Sequence, residues 1–435
     1  MHRIFTNERV LKDCKIYSML VDAAKKPHAS FHMPGHKISE WDITELSYSD
    51  NLSAPSGCIQ EAENDLAKIL GAERSFLLTD GSTAGVLSML YAAKRLGVKS
   101  LAVCRASHKS VFNGCALVGI TPLVYPEKVV DGIPVGYTLA ELSELYPSVL
   151  SADGLFLTSP NYYGKTADLA AARAFCDREN KLLLVDGAHG GHLHFDKDLH
   201  AGRFADFWVD GVHKSLPALT QGAVVSARTV KFSLALYEGV QIFRTTSPSY
   251  PIMASVEYAV KYPRNEKLEK AVRKYVKTQP RIKAFEDWTK LSVLFNQSAF
   301  TVQSALEKQG IYAEFCDGKY LQFYLSPVQT KEEFFALTKV LNVLLKEFPL
   351  EEENTSERVP APVAFDENAE IIWVDMEEAV GKICAVDCGL FPPCTPLVAR
   401  GERVEQDKIE LMKKASNVFG IKDGKIAVLN EKKGE

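Results

Sequence analysis

Lys214 lies in the segment Asp210-Gly211-Val212-His213-Lys214-Ser215, Asp186 ends the apolar run Leu182-Leu183-Leu184-Val185, and Gly81-Ser82-Thr83 follows the apolar Ser75-Phe76-Leu77-Leu78-Thr79. A lysine amine that is partly desolvated near other cations gives up its proton more readily and can condense with an aldehyde. A carboxylate closing a hydrophobic strand is costly unless a cation pairs with it, and a protonated pyridine nitrogen would do so. A glycine turn that leads from a strand into a helix aims N–H groups and the positive end of the helix dipole at an anion, and two hydroxyls add donors. Amine, carboxylate and anion cradle are together what pyridoxal 5'-phosphate (PLP) requires: one holds the aldehyde, one keeps the ring nitrogen protonated, and one takes the phosphate.

Each residue also has a plainer reading when taken alone. Ser82 and Thr83 suit an ordinary helix start, Asp186 a cap or turn, and Lys214 a solvated surface charge. It is their combination that favours the cofactor. His108, in Ser107-His108-Lys109-Ser110, either stacks on a planar ligand or simply opens a helix. His189, three residues past Asp186, is placed to orient that carboxylate or to lie beside a ring. His189, His192, His194 and His200 together invite a zinc reading, but no H-E-x-x-H pattern is present and the run begins in a glycine-rich loop. Cys384, Cys388 and Cys394 lack the paired spacing of a structural zinc site, so no metal is expected.

Elements able to position these groups follow from the apolar pattern. Short runs at 75–79, 101–104, 154–158, 182–186 and 222–226 read as buried strands. Stretches 61–70, 83–96, 108–119 and 167–180 carry apolar residues at helical spacing. Such alternation predicts an α/β domain with a mostly parallel sheet, in which ligands collect at the carboxyl ends of strands. Residues 79–83 and Asp186 fall at such ends, and Lys214 falls in the loop entering the next strand. Beyond about residue 260 the texture changes to charged helical stretches (261–283, 331–346), a strand-like 320–325, a charged and proline-rich connection at 348–370, a helical 377–386 and a turn at Pro392-Pro393. The expected division is an N-terminal segment over 1–60, a large domain over 61–290 and a small α+β domain over 291–435.

Composition narrows the class. The 435 residues carry a net charge of −4 and 46% hydrophobic residues, so nucleic acid and anionic membranes are not the expected partners. A small molecule is. The first residues lack the apolar core of a signal peptide, and no run of about 18 apolar residues occurs. The nine cysteines are an odd number spread along the chain, which favours reduced thiols and a cytoplasmic setting.

In order along the chain, Phe31-His32-Met33-Pro34-Gly35-His36-Lys37, residues 51–63, Gly81-Ser82-Thr83, His108-Lys109-Ser110, Asp186-Gly187-Ala188-His189, His213-Lys214 and Thr245-Thr246-Ser247-Pro248-Ser249 resemble the successive blocks of the Orn/Lys/Arg decarboxylases. A weaker echo lies at Phe391-Pro392-Pro393 and Gly401-Glu402. The resemblance implies a fold-type-I, PLP-dependent transferase-like architecture: a mostly parallel seven-stranded sheet flanked by helices, with a smaller C-terminal α+β domain. It implies that Lys214 holds the cofactor's aldehyde, with His213 beside it near the phosphate. Asp186 would hold the ring nitrogen, His108 would stack on the ring, and His189 would line its other edge. Gly81, Ser82 and Thr83 would take the phosphate. Thr245 to Ser247, with Thr246 at the centre, would reach the cofactor of a second subunit, so a homodimer or dimer of dimers is expected.

Two departures stand out. Gly211 and Val212 occupy positions where the family often carries a serine, which predicts one fewer hydroxyl on the phosphate and weaker cofactor binding. Pro393-Cys394-Thr395-Pro396 and Arg400 depart from the family near the substrate pocket. The expected reaction is decarboxylation of lysine, ornithine or arginine to a polyamine precursor amine. His213, Lys214 and Cys394 are open as proton donors, and Asp50, Glu238 and Glu402 as readers of the distal cation. The rivals are an aminotransferase or lyase of the same fold and a non-catalytic PLP-binding regulator, with a zinc hydrolase after them.

Overall fold

Apolar runs become strands here because both of their faces are covered. The computed structural model describes residues 5–25, 29–37, 41–350, 369–391, 396–415 and 417–430. Strands β1 (Arg74–Leu78), β2 (Ser100–Cys104), β3 (Thr121–Tyr125), β4 (Gly154–Thr158), β5 (Leu182–Gly187), β6 (Phe207–Asp210) and β7 (Ala223–Ala227) form one sheet in the order β1-β7-β6-β5-β4-β2-β3. The pairings of β2 with β3 and β4, β4 with β5, and β5 with β6 are parallel. β7 runs antiparallel to both of its neighbours, β6 and β1. The expected mostly parallel seven-stranded α/β sheet is therefore present.

Helices cover the sheet in two layers. They are α1 (Lys15–Ala24), α2 (Cys58–Leu70), α3 (Gly81–Arg95), α4 (Lys109–Val118), α5 (Leu169–Glu179), the single turn α6 (Val212–Ser215), α7 (Val230–Phe243) and α8 (Tyr250–Val260). Leu184 and Val209 point into a core with Met89 of α3, Val111 of α4 and Leu236 of α7. Their neighbours Leu183, Val185 and Trp208 point the other way, against Ile16 of α1, Leu66 of α2, Ala172 of α5 and Met253 of α8. This period-two alternation between two apolar layers fixes the register of β5, since a one-residue slip would exchange the two sets. Leu183, Leu184 and Val185 are fully buried, which contributes roughly 1.5–3 kcal/mol each.

Two strands escape the sequence pattern: β6 is only Phe-Trp-Val-Asp, and β3 lies at the sheet edge and carries Pro122. Lys214 was expected in a loop and stands instead on the turn α6.

The chain divides into two compact units. The first comprises Met1–Ala271, Phe285–Thr289 and Leu325–Thr330, and the second Val272–Ala284, Lys290–Tyr324 and Lys331–Glu435. The second contains an antiparallel sheet of Ile282–Lys283, Lys290–Leu294, Tyr320–Tyr324 and Phe315–Cys316, together with helices Ala299–Glu307 and Lys331–Glu347. A three-stranded sheet of Ile371–Asp375, Lys425–Leu429 and Ile421–Lys422 follows. The stretch 261–283 is helical only over Glu266–Val276, and 377–386, expected as a helix, is a series of turns and bridges. Residues 351–368 of the expected surface connection, the Pro392-Pro393 turn and Cys394 lie outside the described residues. Among the described residues no helix is long and apolar enough to cross a membrane.

Candidate active site

The carboxyl ends of the parallel strands meet where chemistry was expected. Thr158 and Asp186 are register partners at the ends of β4 and β5, and Gly187 pairs with Asp210 of β6. Because β7 is reversed, the turn that enters it, at Gln221 and Gly222, lies at this same edge. The carbonyl of Gln221 accepts the N–H of Gly81 at 2.9 Å, and that of Gly222 accepts the N–H of His213 at 3.1 Å. Two adjacent carbonyls thus tie the start of α3 to α6.

The start of α3 has no side-chain cap. Gly81 has φ +76°, a conformation that penalises any side chain. Asp80, at the helix cap position, makes no side-chain hydrogen bond to its own helix. Its Oδ2 accepts the Thr245 N–H at 3.0 Å instead. Ser82 and Thr83 sit inside the first turn rather than capping it, so the plain helix-cap reading of these hydroxyls does not describe them. Ser82 Oγ is buried with no hydrogen-bond partner, while Thr83 is exposed.

Lys214 projects from α6, half-buried, with Nζ 2.9 Å from His189 Nε2. The His189 ring in turn packs on Tyr162, with centroids 4.3 Å apart. Asp186 is buried and its Oδ1 accepts the Ala188 N–H at 3.0 Å. His108 accepts the Ser110 N–H at Nδ1, which assigns its own proton to Nε2. Burial pushes its pKa below the usual imidazole value; the charges of Lys214 and Lys109 act in the same direction and Asp186 against them. His213 donates from Nδ1 to the Gly222 carbonyl at 3.0 Å. Burial lowers its pKa too, opposed by that hydrogen bond and aided by Lys214. Both imidazoles are therefore neutral near pH 7. Thr246 is exposed on the single chain.

Of the two positions, 211 and 212, at which the family often carries a serine, 211 has no room for one. A Cβ there would stand 2.3 Å from the Ala188 carbonyl and 2.8 Å from Ser82 Oγ, so glycine is what lets α6 approach the cradle.

The other histidines are committed elsewhere. His192 Nε2 meets Asp287 Oδ1 at 2.8 Å, His194 Nδ1 meets the Gly191 carbonyl at 2.7 Å, and His200 Nε2 meets Asp210 Oδ2 at 3.2 Å. Burial lowers the His194 pKa to about 4. Cys384 and Cys388 are buried in the second unit with sulfurs 3.8 Å apart.

Of the residues named for the distal cation, Asp50 and Glu238 are engaged by other groups. Asp50 accepts backbone N–H groups from Asn51, Ser56, Gly57, Ile59 and Gln60. Burial pushes its pKa up, yet these donors hold it below the usual value, and the carboxylate is occupied as the anchor of α2. Glu238 pairs with Arg95 at the far end of α3, about 20 Å along the helix from Gly81. Glu402, in the second unit, accepts the Ala399 N–H.

Sequence reasoning missed Asp80, Tyr162 and Thr158. Asp80 directly precedes the recognised turn, and Tyr162 follows the Pro160-Asn161 turn signal at the end of a predicted strand.

PLP fits the residues present. Thr79 Oγ1, Ser82 Oγ, Ser107 Oγ, Thr158 Oγ1 and Ser215 Oγ, all at strand ends or in the segments after them, are buried without a partner. A phosphate-bearing ligand at the strand ends would give these hydroxyls the partners they lack.

A mostly parallel α/β sheet that carries a lysine, a buried aspartate and an uncapped helix start at its strand ends is the fold-type-I arrangement. The chain belongs to the Orn/Lys/Arg decarboxylase family, whose major domain it matches over residues 38–297. It is 26% identical over 454 residues to the arginine decarboxylase of Bacillus subtilis (strain 168), covering 91% of this chain and 92% of the relative. It is 29% identical over 465 residues to the uncharacterized protein YaaO of the same organism, covering 94% of each. The lysine decarboxylase LdcF of Francisella novicida superposes with a TM-score of 0.73 at 17% identity, over 95% of this chain and 80% of that one.

Proposed function

We propose that this chain decarboxylates a basic amino acid, lysine, ornithine or arginine, to the corresponding polyamine precursor amine, with PLP held at Lys214. The observation that carries the proposal is that Lys214, with Nζ 2.9 Å from His189 Nε2, stands on a turn whose Gly211 packs against the partnerless Ser82 Oγ, next to the strand end that carries buried Asp186. When bound, PLP supplies a cationic ring that accepts the electron pair left on the substrate's Cα as CO2 departs.

The remaining work falls to the chain. Lys214 would hold the cofactor's aldehyde carbon through its side-chain amine. Asp186, buried at the end of β5, keeps the proton on the ring nitrogen. Neutral His108 offers an uncharged face for stacking. Gly81, Ser82 and Thr83, at the positive end of α3, take the phosphate, with His213 beside them. Lys214 or His213 returns a proton to Cα. Thr246, exposed on the single chain, is our candidate for reaching the cofactor of a second copy in a homodimer or dimer of dimers, and we assign the cytoplasm on the strength of the scattered free cysteines.

The test is to incubate purified protein and PLP with each of the three amino acids and to measure CO2 and amine. Borohydride reduction followed by peptide mapping should tag Lys214, and Lys214→Ala should lose both colour and product. Tagged protein that makes a keto acid without CO2 would move the assignment to an aminotransferase. No tag at Lys214 would end it.

A further inference from the structure

We propose that His189 is the docking residue for the Lys214 amine whenever that amine has no covalent partner, and that Tyr162 positions His189 for it. This rests on the role given to Lys214 above. A lysine ammonium has three donors and no acceptor, and a neutral imidazole has one acceptor nitrogen. With Lys214 an ammonium, the 2.9 Å contact pairs it with a neutral His189 that accepts at Nε2 and carries its proton on Nδ1. Two cations could not hold it. Lysine's long stem has high rotamer entropy, so an undocked amine would spread over many positions. Docking keeps it beside the place it must reoccupy.

His189 is itself fixed from two directions. It is 6% exposed, in a loop closed by the Ala188 N–H on Asp186 and the Gly190 N–H on the Gly187 carbonyl at 2.7 Å. The Tyr162 ring lies against its imidazole at an interplanar angle of 54°. The Tyr162 loop is pinned by Asn161 Oδ1, which accepts the N–H groups of Tyr163 and Lys165, each at 3.0 Å. It is also pinned by the Gly164 carbonyl, which accepts the Asp287 N–H at 3.2 Å. The Asp287 carboxylate reaches back to His192, three residues beyond His189. One aspartate thus joins both loops. Titratable groups near the pair include Tyr162, whose ring packs on His189, and His108 and His213, on both of which the Lys214 charge acts, with Asp186 acting on His108 as well.

The full-length protein free of cofactor is labelled with trace acetic anhydride across pH, and Lys214 acetylation is read by peptide mass spectrometry. Removing an acceptor from an ammonium lowers its pKa, so His189→Leu should label about tenfold faster than wild type near pH 7.5. His189→Gln, which keeps an acceptor, should stay near wild type. Tyr162→Phe should match wild type and Tyr162→Ala should shift toward His189→Leu. Equal labelling of His189→Leu and wild type overturns docking, and an unshifted Tyr162→Ala overturns the role of Tyr162. Independently of any variant's folding, nitrogen-15 histidine spectra of the wild type should show the His189 proton on Nδ1; a proton on Nε2 overturns the proposal. Failure of the PLP assignment would appear separately, as absence of a borohydride tag in the loaded wild type.

Discussion

Asp80 Oδ2 accepts the backbone N–H of Thr245 at 3.0 Å, so the residue at the head of α3 anchors the segment after α7 and leaves its own helix uncapped. If the start of α3 takes the cofactor phosphate as proposed, this contact would link its affinity to the placement of the Thr245–Ser247 segment. Asp80→Ala should weaken PLP binding by about tenfold, the effect of losing one charge-assisted hydrogen bond. Asp80→Asn, which still offers an acceptor, should bind nearly as wild type. Absorbance titration of the cofactor-free protein measures both, and unchanged affinity in Asp80→Ala would refute the link.

Gly211→Ser would place a hydroxyl at one of the two positions, 211 and 212, where the family often carries a serine. Its Cβ would press on the Ala188 carbonyl and Ser82 Oγ. The substitution should cost about 1–3 kcal/mol of stability through overpacking, without tightening PLP binding. Thermal unfolding and cofactor titration of the same preparation decide this. A stable, tighter-binding variant would show that the backbone at 211 yields easily.

Asp287 and His192 form a buried pair, with Thr289 Oγ1 also donating to the same carboxylate oxygen. Asp287→Ala leaves these donors unanswered and should cost about 3–5 kcal/mol. Asp287→Asn should cost less. Urea unfolding gives the stability, and a loss under 1 kcal/mol in Asp287→Ala would contradict the structural weight placed on this residue.

Glu63 is fully buried against Arg244 and accepts the Leu77 N–H at 3.0 Å. Burial pushes its pKa up to about 7, with Arg244 and that N–H opposing. The folded chain then holds this proton more tightly than the unfolded chain, whose glutamates titrate near about 4.3. Its stabilising contribution is complete below the unfolded value and is lost as pH rises toward about 7. Between pH 5 and 8 the wild-type melting temperature should therefore fall by several degrees more than that of Glu63→Gln. Parallel pH profiles would show that Glu63 stays ionised throughout.

Much of the site was legible because its members occupy strand ends, and strands built from runs such as Leu182 to Val185 announce themselves by hydrophobicity alone. Asp186 and Gly81 were found this way. β6 was not, since four residues are too few for a periodic signal, and its position beside β5 comes from sheet pairing. Tyr162 escaped for a related reason: its meeting with His189 is made by two loops brought together by Asp287, and no spacing in the chain encodes that. Asp50 shows the converse error. A carboxylate near a conspicuous motif looks available until its backbone donors are seen, and donors within the same turn leave no mark in the residue pattern.

The reversal of β7 means that the stretch between Asp210 and Ala223 departs from and returns to one rim of the sheet, with no crossing to the opposite side. A link of that kind carries no obligatory helix and no strand register depends on its length. The strand scaffold beneath sets no register for this excursion, so its shape is held instead by its own contacts, the close approach of Gly211 to Ser82 and the Gln221 and Gly222 carbonyls.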